Sequence, residues 1–261
     1  FAGISLAVQD VLDLRRAGVA AREVRARIAD AGLAVGDIEC VANWLPWHGG
    51  RAGPFPAMLT PLTPECGVAL AAELDAHGLL LVDMAGATAE PGVEDQVVAA
   101  FADICDHAAA AGTIVHLEAT SLGAIADFTT ARRVVAAAGR RNGALTLDPW
   151  HFFRGGATLA DLAGLPGTRI GAIQLCDGPL APSGDPLHET TTARLLPGQG
   201  EFDLVGLVRA VDAIGARAPI GIEVFHRRQR TMTIAEIAGE WATAARAVLA
   251  GARAPMTGKS G

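Results

Sequence analysis

Apolar runs that read as strands begin near residues 2, 35, 79, 113, 144, 170 and 219, and amphipathic helical patterns fill most of the intervals between them. This alternation limits the fold more than any other feature. A strand followed by a helix, seven times over, calls for a parallel sheet, because a parallel neighbour is reached only by crossing a face of the sheet. The helical patterns are explicit. Residues 18–32 put Val24 and Ile28 on one face, residues 93–111 repeat Val97, Phe101, Ile104, Cys105 and Ala108, and residues 231–250 repeat Ile234, Ile237, Trp241, Ala245 and Val248. A strand–helix count near eight over about 250 residues favours a closed α/β barrel of the TIM (β/α)8 type over an open doubly wound sheet. No GxGxxG follows the first strand to support the open alternative. Seven strands are visible and FAGISLAV already reads as a strand in mid-domain, so the first barrel strand is expected before Phe1. The expected organisation is a single barrel domain over 1–251 with a loose tail over 252–261.

Composition removes several classes of function. The chain has 261 residues, 51% hydrophobic and 19% charged, with a net charge of −7. That acidity argues against tracking a nucleic-acid backbone, which needs a basic stripe. No apolar run approaches the ~20 residues of a membrane span. Cys40, Cys66, Cys105 and Cys176 are widely spaced and make no CxxC pair, and no signal peptide is visible, so a reducing cytoplasm is expected. Lys259, in the tail, is the only lysine, and there is no tyrosine. Schiff-base, pyridoxal and phosphate-loop chemistries each need a lysine in the site and are excluded on that ground.

Four of the strand-like segments end in one polar side chain able to hold a metal: Glu118 in TIVHLEAT, Asp148 in ALTLDPWH, Gln174 in IGAIQLCD and Glu223 in PIGIEVF. Their flanking residues are aliphatic, so in a strand the polar side chain faces one side and its neighbours the other. An acid in such surroundings is costly to bury without compensation. Four of them at matched parity on consecutive strands suggest convergence on one divalent cation. Three carboxylates and an amide oxygen suit Mg²⁺ or Mn²⁺ better than Zn²⁺. The plainer alternative is that each acid separately pairs with an arginine or caps a helix.

Further residues gather near these ends. His151, three after Asp148, is a candidate to orient substrate, shuttle a proton or act as an outer ligand; otherwise it is a histidine satisfied by a loop carbonyl. His116, two before Glu118 on the same face, reads as the partner that orients Glu118, with a place in substrate binding. Two long connections follow strands, 44–65 and 177–202, and fall where binding loops of a barrel are found. In the first, Asn43, Trp44, Trp47 and His48 form an apolar wall with polar tips over a sugar ring, or else a loop-packing cluster. In the second, Arg194 is a candidate clamp for substrate oxygens, and Asp177 bonds substrate hydroxyls or caps the loop. The PGQG turn precedes a helix expected near Asp203 and could cradle a phosphate or simply turn the chain.

With these residues in view, the chain resembles the xylose-isomerase-like barrel superfamily of sugar isomerases and epimerases. LEAT, LDPWH, IQLCDGP, RLLPGQGEFDL and IEVF stand in the family's order, from GISL to IEVF. The resemblance implies one divalent cation held by Glu118, Asp148, Gln174 and Glu223, although the family more often has His at the third position. It also implies a shared mechanism, in which a hydroxyketone chelated by the cation loses its α-proton to give an enediolate. Glu118 and Glu223 resemble the carboxylate pair that removes and returns that proton, with His151 beside them. Return of the proton gives epimerisation or aldose–ketose exchange, and loss of a β-hydroxyl gives dehydration. The expected function is therefore a metal-dependent isomerase or epimerase of a small polyhydroxy ketone or keto-acid. The alternative is a lyase on the same scaffold, dehydrating 3-dehydroshikimate, an inosose or a 3-keto sugar. Thr146 stands where some dehydroshikimate dehydratases of this kind carry lysine, which weighs against the lysine-dependent form of the lyase. A DNA abasic-site endonuclease would want a histidine-rich multi-zinc site and a basic face, and neither is visible. Retention of both glutamates argues against a sugar-binding barrel without catalysis. A homo-oligomer is compatible with everything read so far.

Overall fold

A computed structural model describes residues 1–45, 47, 60–84 and 93–255 of the chain. His48, most of the 44–65 connection, Lys259 and the end of the expected tail lie outside these residues. The chain divides into two compact units, Phe1–Leu147 with Arg169–Ala172, and Asp148–Thr168 with Ile173–Gly261.

The first unit carries β1 (Gly3–Ala7), α1 (Val8–Arg16), α2 (Ala21–Asp30), β2 (Ala34–Val41), α3 (Pro64–Leu74), β3 (Gly78–Val82), α4 (Glu94–Ala109), β4 (Ile114–Glu118), α5 (Phe128–Ala138) and β5 (Gly143–Leu147). Strands β1 to β5 are all parallel and pair in chain order, with no reversal. A doubly wound sheet reverses its order after the first strands, so this is the barrel's arrangement. β3 and β5 are buried along their whole length, as expected of strands covered on both faces. The helices start where the sequence supplies caps. Thr63 accepts from the Cys66 N–H ahead of α3, with Pro64 in the first turn, and Asp127 does the same for Thr130 ahead of α5. The apolar face of α4 buries Val97, Phe101, Ile104, Cys105 and Ala108, the five residues its spacing singles out.

A polar cluster sits inside this unit. His116 on β4 is fully buried, its Nδ1 3.0 Å from Thr146 Oγ1 on β5 and its Nε2 3.1 Å from Asp37 Oδ1 on β2. The intervening strand makes room with Gly78, where a Cβ would lie 2.1 Å from His116 Nε2 and 2.5 Å from Asp37 Oδ1. Only glycine lets the imidazole reach across. His116 therefore links β2, β4 and β5: both ring nitrogens face other strands, Nδ1 towards Thr146 and Nε2 towards Asp37.

The second unit carries α6 (Pro149–Arg154), the end of β6 (Ile170–Leu175), α7 (Pro186–Thr192), α8 (Leu204–Ala213), β7 (Ile220–Ile222) and α9 (Ile234–Arg253). β6 and β7 are parallel, with Gln174 paired to Gly221, and the Glu223 N–H donates to Leu175 O. α8 begins after Asp203, which accepts from the Gly206 N–H, where the helix was expected. In α9, Ala245 and Val248 are buried but Ile234 is 87% exposed, so its first turn does not join the apolar face that the spacing suggests. α9 runs to Arg253, two residues into the expected tail.

Candidate metal centre

Strand parity sets which side chains share a face. In the second unit Gln174 is level with Gly221, and Glu223 lies two residues further on, so Gln174 and Glu223 face the same side. Gln174 is buried, and the Glu223 side chain is about one-fifth exposed. Asp148 follows the last residue of β5 and caps α6: its Oδ1 accepts from the Trp150 N–H at 2.8 Å and from the Cys176 thiol at 3.2 Å. With Oδ1 held in this way, Oδ2 is presented on the other side of the carboxylate. In the first unit, Glu118 is the buried final residue of β4.

Arg194 organises the second unit's acids. Its side chain is 2% exposed, and one terminal nitrogen lies 2.8 Å from Asp148 Oδ2 and 2.7 Å from Glu223 Oε2. The same nitrogen reaches Cys176 Sγ at 3.7 Å, and the other lies 3.4 Å from His151 Nε2. Arg194 Nε donates to Thr190 O at 3.1 Å, and the guanidinium lies over the rings of Phe225 at 5.0 Å and Trp150 at 5.6 Å. Of the plainer alternative, an arginine partner or a helix cap for each acid, Asp148 shows both and Glu223 the arginine, but the arginine is the same one. Two acids distant in sequence share one buried cation, and the fork expected to clamp substrate is turned onto the chain's own carboxylates.

The electrostatics follow from burial and this cation. Burial pushes the Asp148 carboxyl up, but Arg194 and His151, with the Cys176 and Trp150 hydrogen bonds, pull harder and hold it below the usual carboxylate range. Burial brings His151 down to about 4 against the opposing pull of Asp148, whose Oδ2 is 3.9 Å from Nε2. The imidazole is therefore neutral at pH 7. Burial and then Asp148 push the Cys176 thiol well up, which keeps it a proton donor to Asp148.

Two other candidates bond within the chain. Asp177 is buried, and its carboxylate accepts from the N–H groups of Gly178 (2.8 Å), Gly198 (2.9 Å) and Phe202 (3.1 Å). These three backbone donors tie Asp177 into the loop that carries PGQG. Trp44 is buried in the first unit with its indole N–H on Val82 O at 3.1 Å.

Sequence reasoning missed the supports around Arg194. Glu189 Oε1 accepts from the Ser183 N–H and hydroxyl, each at 2.6 Å, and its Oε2 is 2.8 Å from Arg154. Arg154 stacks 4.1 Å over Trp150, and the Trp150 N–H donates to Thr190 Oγ1 at 3.0 Å. Thr190 in turn holds Arg194 through its carbonyl. The i,i+4 spacing of Trp150 and Arg154 in DPWHFFR was a signal that would have found one side of this latch. Nothing local marks Glu189. Ser183 and Arg154 hold its carboxyl down at about 2.

Comparison with known proteins was made against this geometry. A family profile described as a xylose isomerase-like TIM barrel matches residues 65–250. A 3-dehydroshikimate dehydratase from Pseudomonas aeruginosa is 34% identical over 124 residues, which is 47% of this chain and 19% of that protein. The chain thus matches about a fifth of the length of that relative. Among solved structures, the IolI protein with a bound zinc atom superposes with a TM-score of 0.80 at 18% identity, covering 96% of this chain and 88% of that one. An L-ribulose 3-epimerase superposes with a TM-score of 0.63 at 18% identity, covering 99% of this chain and all of that one. At such identities the superpositions speak for the fold alone. Among the described residues, no helix is long and apolar enough to cross a membrane.

Proposed function

The chain belongs to the xylose isomerase-like TIM-barrel family, and from that premise we propose that it is a divalent-metal-dependent enzyme that removes the α-proton of a small polyhydroxy ketone or keto-acid. The observation that carries the reading is the pair of carboxylate oxygens, one from buried Asp148 and one from part-buried Glu223, that meet one positive charge at 2.8 and 2.7 Å. Oxygens that satisfy a guanidinium nitrogen also suit a hard dication, and Asp148 is already oriented for it by two hydrogen bonds to its other oxygen. Asp148, Glu223 and Gln174 are the ligands we assign in the second unit, and the sequence pattern alone adds Glu118. Mn²⁺ or Mg²⁺ is the ion the oxygen set favours, and the setting we assign is the cytoplasm.

When bound, such an ion polarises the substrate carbonyl and acidifies the adjacent C–H. Glu118 or Glu223 takes the proton as general base, and the partner glutamate supplies a proton where the product needs one. His151, neutral at pH 7, offers substrate a hydrogen bond instead of a charge. If the proton returns to carbon, the enzyme is an isomerase or epimerase. If the new C=C forms with departure of the β-hydroxyl, protonated to water, it is a lyase. We place the lyase first, acting on a hydroxylated cyclic keto-acid of the 3-dehydroshikimate kind, because the dehydratase relative is 34% identical while the epimerase superposes at 18%.

A turnover screen in D₂O separates the two. The protein is supplied with Mn²⁺ or Mg²⁺ and offered 3-dehydroshikimate, inososes, 3-keto sugars, ketoses and hydroxypyruvate. A conjugated, ultraviolet-absorbing product from 3-dehydroshikimate supports the lyase, and deuterium entering a ketose without water loss supports the isomerase. No turnover of any of them with either ion counts against both.

A further inference from the structure

We propose that Arg194 is a built-in counter-cation that competes with the divalent ion for Asp148 and Glu223, so that loading the metal moves its guanidinium off the ligands and towards substrate. This rests on the metal assignment above and goes beyond it, because it gives one side chain opposite effects on metal and on substrate. One Arg194 nitrogen lies within hydrogen-bond distance of oxygens from both acids, and its side chain is 2% exposed. A dication on those oxygens would stand close to that nitrogen in a poorly screened interior, where like charges repel strongly. The chain gains from the arrangement without metal, because a buried carboxylate beside a part-buried one, with no cation between them, would be costly.

The surroundings also show how the guanidinium can leave without losing its place. Its Nε is tied to the Thr190 carbonyl at 3.1 Å, and Thr190 is held by Trp150 through its hydroxyl at 3.0 Å. Because the guanidinium is one rigid plane, its terminal nitrogens leave the acids as the whole plane tilts about the Nε bond to Thr190. Aromatic faces lie on the way, Phe225 at 5.0 Å and Trp150 at 5.6 Å, and Phe225 is 45% exposed. A cation resting on such faces keeps much of its stabilisation. Released from Asp148 and Glu223, the planar fork becomes available to a substrate carboxylate or hydroxyl pair.

The test is metal affinity, not turnover. Wild-type protein and Arg194→Met are stripped with EDTA, dialysed and titrated with Mn²⁺, with free ion counted by electron paramagnetic resonance. The variant should bind Mn²⁺ at least about tenfold more tightly than wild type. Equal or weaker binding by a folded variant overturns the proposal and leaves the metal assignment standing. No binding by either protein overturns the metal assignment, and this inference with it. A second measurement needs only wild type: in ¹⁵N-arginine spectra, the Arg194 side-chain signals, identified by their loss in Arg194→Lys, should shift as diamagnetic Mg²⁺ is added. Signals that stay fixed while Mg²⁺ binds overturn the proposal even if Arg194→Met does not fold.

Discussion

Two of the polar clusters found among the described residues differ in kind. In the first unit, His116, Asp37 and Thr146 close on one another across β2, β4 and β5, in space made by Gly78. In the second, Asp148 and Glu223 are drawn to one buried side chain, Arg194, whose place we propose a metal takes. A cluster of short side chains drawn from three strands of one sheet ties those strands together. A cluster whose charges balance only through an exchangeable cation is built to hold something. Both were visible as polar residues in apolar strands, so burial alone does not tell them apart.

The largest effect expected from this contrast is catalytic. Glu118→Gln and Glu223→Gln should each lower kcat/KM by about 10³-fold, the range of a lost general base, with little change in thermal unfolding. Wild-type turnover by both variants would remove the proton-transfer assignment. The first cluster should behave in the opposite way. Gly78→Ala, whose methyl would press on His116 and Asp37, should cost about 1–3 kcal/mol in denaturant unfolding and leave Mn²⁺ affinity unchanged.

Finer tests probe the supports. Cys176→Ala removes a hydrogen bond that orients Asp148 and should weaken Mn²⁺ binding about tenfold, whereas Cys176→Ser should restore most of it. Identical affinities for all three proteins would show that Trp150 alone sets the carboxylate. The smallest effect is at Glu189. Its folded carboxyl titrates near 2, below an ordinary value of 4.5, so its contribution to stability is complete above about pH 4.5 and is lost as pH falls towards 2. The gap in melting temperature between wild type and Glu189→Gln should therefore be widest at neutral pH and close on acidification. A gap that is flat with pH would mean that the carboxylate's charge is not what holds the latch.

Much of the fold was legible because its signals are local. The seven strands among the described residues begin within about two residues of the apolar runs; β3, β5 and β6 are buried throughout and have to read as such runs, while β1 and β7 are more exposed. α1 was not foreseen: VQDVLDLRR follows β1 with no break, and Ala7 offers no capping side chain. The four polar strand ends were legible by parity, yet parity could not separate Glu118 and Asp148 from His116, whose partners come from other strands. Arg194 was noticed as a cation, but its partners lie 46 and 29 residues away in sequence, and no local pattern encodes such a pairing. Asp177 was ambiguous for the opposite reason, because what fixes its role is three backbone N–H groups, and backbone geometry is invisible in composition.

The central claim is that Asp148 and Glu223 help to hold a divalent ion. Equilibrium dialysis against Mn²⁺ followed by elemental analysis tests it directly, with wild type compared with the paired substitution Asp148→Asn and Glu223→Gln. The account predicts about one ion retained per wild-type chain and essentially none in the double variant. Equal retention by the two proteins, or none by wild type with Mn²⁺, Mg²⁺ or Zn²⁺, would contradict it.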